Sequence, residues 1–172
     1  MFLNNCNNLH YDALRRSRIT IFYLEGERPS GDTWRWDGAK WRQIFSDNAP
    51  SPRTDPAVAV LGKRLVVFGG SSTSALAAPT RPLPSDETWT WDVADWTRMQ
   101  PSTVPPARAG AGMAVLGTKV VMFGGWTRAA PSAAGMELND TWEWDGSDWR
   151  EVHPASAPPP RAQSLCPWLR LR

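Results

Sequence analysis

The pattern Asp-x-Trp-x-Trp-Asp…Trp is written three times in this chain, and its spacing constrains the fold more than any other feature. The copies are Asp32-Thr33-Trp34-Arg35-Trp36-Asp37 with Trp41, Asp86-Glu87-Thr88-Trp89-Thr90-Trp91-Asp92 with Trp96, and Asp140-Thr141-Trp142-Glu143-Trp144-Asp145 with Trp149. In the second copy the aspartate is shifted by one position. Nine of the eleven tryptophans belong to these copies, and the first Trp recurs at 34, 89 and 142, steps of 55 and 53 residues. Two further markers keep the same step: Arg53, Arg108 and Arg161 follow proline-rich stretches, and glycine pairs stand at Gly69-Gly70 and Gly124-Gly125. A period near fifty residues built from strand-like pieces is the signature of a repeat architecture, with each unit a four-stranded propeller blade.

The apolar runs support that reading. Leu65–Phe68 and Val120–Phe123 end at the glycine pairs and read as strands buried on both faces; Ile19–Leu24 is their counterpart in the first unit, with Glu25-Gly26 replacing the glycine pair. In the second unit the expected strands are Ala57–Leu61, Arg64–Phe68, Thr88–Trp91 and Trp96–Met99. In the third they are Met113–Leu116, Lys119–Phe123, Thr141–Trp144 and Trp149–Val152. Segments 71–85 and 126–138 read as loops. Glycine pairs at strand ends suit a backbone approach too close for a Cβ. Asp37-Gly38 and Asp145-Gly146 predict tight hairpins, whereas Asp92-Val93 predicts a different turn.

Two residues apart on a strand share a face, so Trp34 and Trp36 point the same way, as do Trp89 and Trp91, and Trp142 and Trp144. The short connection then sets Trp41, Trp96 and Trp149 opposite Trp36, Trp91 and Trp144, where cross-strand aromatic pairs stabilise a sheet. Packing between sheets is the plain reading of these rings, and stacking on a sugar or forming an aromatic cage is the other. The aspartates Asp32, Asp86 and Asp140 read as turn caps rather than as general acids, because they recur with the repeat.

Strand one, strand two ending in Gly-Gly, a variable loop, Asp-x-Trp-x-Trp-Asp and a closing Trp together resemble the kelch repeat, over about residues 19–165. The Pro-Arg steps at Pro52-Arg53 and Pro160-Arg161, and Pro106-Ala107-Arg108, are similar to that family as well. The resemblance implies an all-β fold, a kelch-type propeller fragment of four-stranded antiparallel blades in an incomplete ring. It divides the chain into an irregular leader (1–17), blades over 18–161 (a partial blade 19–45 and blades 57–99 and 112–152), and a truncated or irregular tail (162–172). The histidine frequent three residues after the family's arginine is replaced here by Pro56, Ala111 and Ser164, so no role tied to it carries over. A ring with blades missing leaves open sheet edges, and with them a route to self-association.

Composition narrows the function. A net charge of +2, with no basic run interleaved by aromatics, gives no footprint for nucleic acid. No run of about 20 apolar residues spans a membrane, and the first residues lack the charged start and apolar core of a signal peptide. Cys6 and Cys166 are too few for a disulfide framework and too far apart for a cysteine metal site. His10 and His153 are the two histidines, and Tyr11 and Tyr23 the two tyrosines; neither set forms a catalytic constellation, and no cofactor or metal is implied.

The reading is therefore a non-catalytic scaffold binding a protein or small ligand through loops on one propeller face. The alternative is a fragment of a galactose-oxidase-like enzyme or carbohydrate-binding protein whose active residues lie elsewhere. Antiparallel alternation gathers loops 46–56, 71–85, 100–111, 126–138 and 153–161 at one end. Binding candidates there are Arg53, Arg81, Arg108, Trp126 and Arg128. For Arg53 and Arg108 the competing role is a blade-stabilising hydrogen bond, since they recur with the repeat.

Overall fold

Alternating side chains with turns between them dictate hairpins, and hairpins are what forms. The computed structural model describes residues 18–21, 31–36, 39–72, 83–92, 94–130 and 132–162. Among the described residues all regular structure is strand, and no helix is long and apolar enough to cross a membrane. The first sheet joins β1 (Arg18–Ile21), β2 (Thr33–Trp36) and β3 (Trp41–Ile44). The second joins β5 (Ala57–Leu61), β6 (Arg64–Phe68), β8 (Thr88–Trp91) and β9 (Trp96–Arg98) in that order. The third repeats it with β10 (Gly112–Leu116), β11 (Lys119–Phe123), β14 (Thr141–Trp144) and β15 (Trp149–Val152).

All pairings are antiparallel, and the described residues make no closed ring. Of the expected Ile19–Leu24 strand, residues 22–24 lie outside the described residues. The loops carry two short ribbons that their composition does not announce: β4 (Arg53–Thr54) with β7 (Ser71–Ser72), and β12 (Trp126–Thr127) with β13 (Met136–Glu137).

Two cores hold the sheets face to face. Leu65, Val67, Trp89, Trp91 and Trp96 point from the second sheet to the first, against Ile44 and Ala49. The alternate residues Val66 and Phe68 point the other way, onto Val120, Met122, Trp142, Trp144 and Trp149 of the third sheet. The indoles cluster as the register requires: Trp91 and Trp96 lie 5.4 Å apart, Trp144 and Trp149 5.3 Å apart, and Phe68 meets Trp149 edge-on at 5.3 Å. Burial of such rings supplies most of the driving force, each removing about 150–250 Å² from water.

A repeated polar bond sets how neighbouring sheets sit. Trp96 donates its indole N–H to the Thr33 hydroxyl at 2.8 Å, and Trp149 donates to Thr88 at 2.9 Å. In both cases the closing Trp of one sheet grips the motif threonine of the sheet before it. A second tie accompanies the first. Asp95 accepts hydrogen bonds from Ser46 and Asn48, and Asp148 accepts them from Ser102 and the Thr103 amide, so each hairpin holds the loop leading into its own sheet.

The hairpins at Asp92 and Asp145 close alike. Asp92 Oδ1 accepts from the amides of Ala94 and Asp95, and Asp145 Oδ1 accepts from those of Ser147 and Asp148. These bonds hold the Asp145 carboxyl down at a pKa of about 2, with the Asp148 amide the largest cause. The two bends share these aspartate bonds; Gly146 takes a φ of 107°, and Val93, on which the different turn expected at Asp92-Val93 falls, lies outside the described residues.

Candidate binding face

The arginines after the proline-rich stretches sit in sockets within their own sheets. Arg53 is 2% exposed and gives Nε to Ser51 O, Nη1 to Gly69 O and Nη2 to Glu87 Oε2 at 2.6 Å. Arg108 is fully buried and makes a two-pronged bond to Asp140 at 2.7 Å on each nitrogen, with further bonds to Pro106 O and Gly124 O. Such fork-to-fork pairing is the strongest geometry available to a guanidinium and carboxylate. The same acids also accept the indole N–H of Trp89 (3.1 Å) and Trp142 (2.7 Å). Burial alone raises the carboxyls of Glu87 and Asp140. The hydrogen bonds and charge of Arg53 and Arg108 outweigh it, so both end below their ordinary values.

Two expectations change here. Asp140 is an ion-pair partner, not a turn cap; the caps are Asp92 and Asp145. In the second sheet the acid that meets the arginine is Glu87, while Asp86 is exposed. Glu87 directly precedes Thr88 as Asp140 precedes Thr141, so counting back from the threonine finds the partner that the literal Asp-x-Trp pattern misses.

Beside each socket the glycine pair pins the start of the next unit. Gly69 and Gly70 have φ of 68° and 87°, and Gly124 and Gly125 have 67° and 96°. A Cβ on Gly69 would lie 2.2 Å from Arg108 O, and one on Gly124 2.7 Å from Arg161 O. Only glycine admits both that backbone and that approach. The contact is used: Gly70 donates to Arg108 O and Gly125 to Arg161 O, both at 2.9 Å. Segment 100–111 thus begins at the Asp148 hairpin and finishes beside Gly70. It crosses the sheet rather than sitting wholly at one end, because a hairpin and a glycine pair occupy opposite ends of a blade.

The segment after Gly125 starts as its counterpart does, Trp126 bridging to Ala109 and Glu137 as Ser71 bridges to Thr54 and Pro84; residues 73–82 lie outside the described residues. Trp126 pairs its backbone with Ala109, and β12 and β13 project as a hairpin. The Arg128 guanidinium lies 5.5 Å over the Trp126 ring. Gly135 faces both, since a Cβ there would come within 3.6 Å of Arg128 Nη2 and 3.7 Å of the indole. Trp126, Arg128, Gly135, Met136 and Glu137 line an open depression of about 290 Å³, with Met136 61% exposed. Arg128 Nε and Nη1 are covered and have no hydrogen-bond partner among the described residues, a costly state for a cation. Arg81 lies outside the described residues. His153 is exposed, 4.0 Å from Glu151. Among the described residues no three His, Cys, Asp or Glu side chains converge on a point where a metal would sit.

Asp55 stands out although its residue type gave no signal. Its φ is 53°, unusual for a non-glycine, and Oδ1 is buried without a hydrogen bond among the described residues. Burial raises its pKa. Gly110, with φ 65°, holds the same place one unit later and donates its amide to Asp55 O at 2.8 Å. Aligning the two units exposes the mismatch of Asp for Gly.

Residues 26–169 match the model of the KLHDC2/KLHL20/DRC7 Kelch-repeats domain. The chain belongs to the kelch-repeat family. It is 31% identical over 135 residues to Adagio-like protein 3 and 32% identical over 137 residues to Adagio-like protein 1, both of Oryza sativa subsp. japonica. It is also 30% identical over 129 residues to the dynein alpha chain of the flagellar outer arm of Chlamydomonas reinhardtii. Each match covers 70% of this chain but only 20%, 21% and 3% of those proteins. Kelch-repeat domains generally act as protein-interaction scaffolds. In this kelch chain the sockets, glycine pins and indole clusters recur from sheet to sheet, whereas Trp126 and Arg128 stand in a hairpin whose counterpart, 73–82, lies outside the described residues.

Proposed function

We propose that this kelch chain is a non-catalytic scaffold that binds a protein segment or small ligand at the β12–β13 hairpin. Trp126 and Arg128 are the contact residues. The division into a partial blade 19–45 and blades 57–99 and 112–152, between a leader 1–17 and a tail 162–172, belongs to the same reading. One observation carries it: Arg53 and Arg108 spend their donors on the protein's own carboxylates and carbonyls, while Arg128 stacks on Trp126 and lines the depression, its covered Nε and Nη1 without a hydrogen-bond partner among the described residues. A guanidinium stacked on an indole beside an open depression suits a carboxylate flanked by an apolar side chain. Arg53 and Arg108 then serve binding indirectly, by fixing the loops from which the hairpin projects.

The test is selection of a displayed random peptide library on the full chain. Enriched peptides should carry acidic residues, and Trp126→Ala and Arg128→Glu should each weaken them at least about tenfold. Leu83→Ser, a change at an exposed residue of another loop, should leave them unaffected. Peptides that bind both hairpin variants as tightly as the parent would refute the assignment.

A further inference from the structure

The ribbon of β12 and β13 ends on a strand edge whose backbone groups are unspent. Trp126 commits its N–H and its C=O to Ala109, at 2.9 and 3.0 Å. Its pairing with Glu137 is therefore the kind that exchanges no hydrogen bond, and the neighbouring bond from the Leu138 amide to Gly125 O at 2.8 Å fixes that register. In such a pair the N–H and C=O of Glu137 point away from Trp126. No backbone group among the described residues meets them, and Met136 and Glu137 are both exposed.

The second unit closes the same edge. Pro84 holds the place of Glu137: Ser71 bridges to it, and Ser85 donates to Gly70 O at 2.8 Å. Proline has no N–H to offer outward, which is one way natural sheets blunt an edge. The third sheet follows that ribbon, yet no backbone bond of the described residues reaches Pro84. The edge is thus a property of the ribbon and does not depend on which sheet comes after it.

The face beside the edge carries both signs of charge. Gly135 and Glu137 lie two residues apart and share a face with Trp126 and Arg128. A side chain crossing the edge at Gly135 meets Arg128 Nη2, which lies 3.6 Å from where a Cβ of residue 135 would stand. One crossing at Glu137 meets a carboxylate instead. We propose, on the reading of Trp126 and Arg128 as contact residues, that the partner is an extended polypeptide joining β13 as an antiparallel strand. Its backbone bonds the N–H and C=O of Glu137. It carries a lysine or arginine opposite Glu137 and, two residues later, an aspartate or glutamate opposite Gly135 that pairs with Arg128. Main-chain bonds to an open edge supply affinity in such a mode, and alternate side chains supply selectivity.

The probe is the N-acetylated, C-amidated hexapeptide Thr-Lys-Val-Asp-Val-Thr, titrated calorimetrically into the full chain. It should bind, and Glu137→Pro should weaken it at least about tenfold, because the outward N–H is lost while Trp126 and Arg128 stay. Glu137→Ala, which keeps that N–H, should weaken it far less. N-methylation of the lysine amide, which faces Glu137 O, should also cost at least about tenfold. N-methylation of the valine between lysine and aspartate, whose amide faces outward, should cost less than about threefold. Arg128→Glu should weaken the peptide as well, and circular dichroism verifies that each variant folds. Loss of binding in Arg128→Glu, with Glu137→Pro and the methylated lysine amide binding as their parents do, would overturn strand addition and leave the contact residues standing. Binding of N-acetylaspartate amide as tightly as the peptide would overturn it too, as the mark of a small-acid site. No binding at millimolar peptide, or a folded Arg128→Glu that binds like the parent, would overturn both the strand and the contact residues.

Discussion

The second and third sheets have nearly the same sequence pattern and the same strand order, yet the same face is buried in one and open in the other. Val66 and Phe68 lie under the indoles of the third sheet, while Val121 and Phe123 have no sheet over them among the described residues. The difference teaches that the repeat encodes an interface rather than a closed unit. Each sheet offers tryptophans to the sheet before it and small or aliphatic residues with a threonine to the sheet after it. A residue's contribution to stability therefore depends on its place in the stack as much as on its type.

The largest contrast should come from the closing tryptophans. Trp149→Ala removes a buried ring and leaves a cavity, so denaturant unfolding should show a loss of about 3–5 kcal/mol. Trp41→Ala, at the same repeat position but 40% exposed, should cost clearly less. Next are the arginines. Arg108→Ala strands Asp140 and Gly124 O and should lower stability by about 3 kcal/mol, whereas Arg161→Ala should stay within about 0.5 kcal/mol.

The sockets also set an acid response. Glu87 and Asp140 have folded pKa values below their unfolded ones, so their contribution is present above the unfolded values and is lost as pH falls through the folded ones. An acid titration of stability should show this loss in the parent and a smaller one in Arg108→Ala. Thr88→Val, which leaves the Trp149 indole N–H without its acceptor, should cost about 1–2 kcal/mol. Thr141→Val should be within about 0.5 kcal/mol in the monomer.

The smallest effect has the opposite sign. Asp55 has its folded pKa raised, so it favours the fold when protonated and weakens it as pH rises through that value. Asp55→Asn should therefore be more stable than the parent at neutral pH and lose that advantage in acid. An equal or lower stability at neutral pH would mean that the Asp55 carboxylate is compensated.

Much of this was legible in the sequence because it is local. Alternation within Thr88–Trp91 or Lys119–Phe123 fixes which side chains share a face, and a strand ending in Gly-Gly announces a close backbone approach. What was not legible depends on residues far apart in the chain. Arg108 and Asp140 meet across 32 residues and Arg53 and Glu87 across 34, so nothing near Arg53 says that its donors are taken. Glu87 was hidden because Asp86 satisfies the literal pattern. The β12–β13 hairpin was hidden because segment 126–138 is rich in alanine and lacks strand alternation.

The central claim is that one interface, repeated, covers the trailing face of each sheet that has a successor. Phe68→Ala and Phe123→Ala test it most directly, measured side by side by denaturant unfolding of dilute protein. They change the same residue type at the same repeat position. Phe68→Ala should cost about 3–5 kcal/mol and Phe123→Ala well under half of that. Equal losses would contradict the account, because they would mean that packing within each sheet, and not the sheet that follows, buries this face.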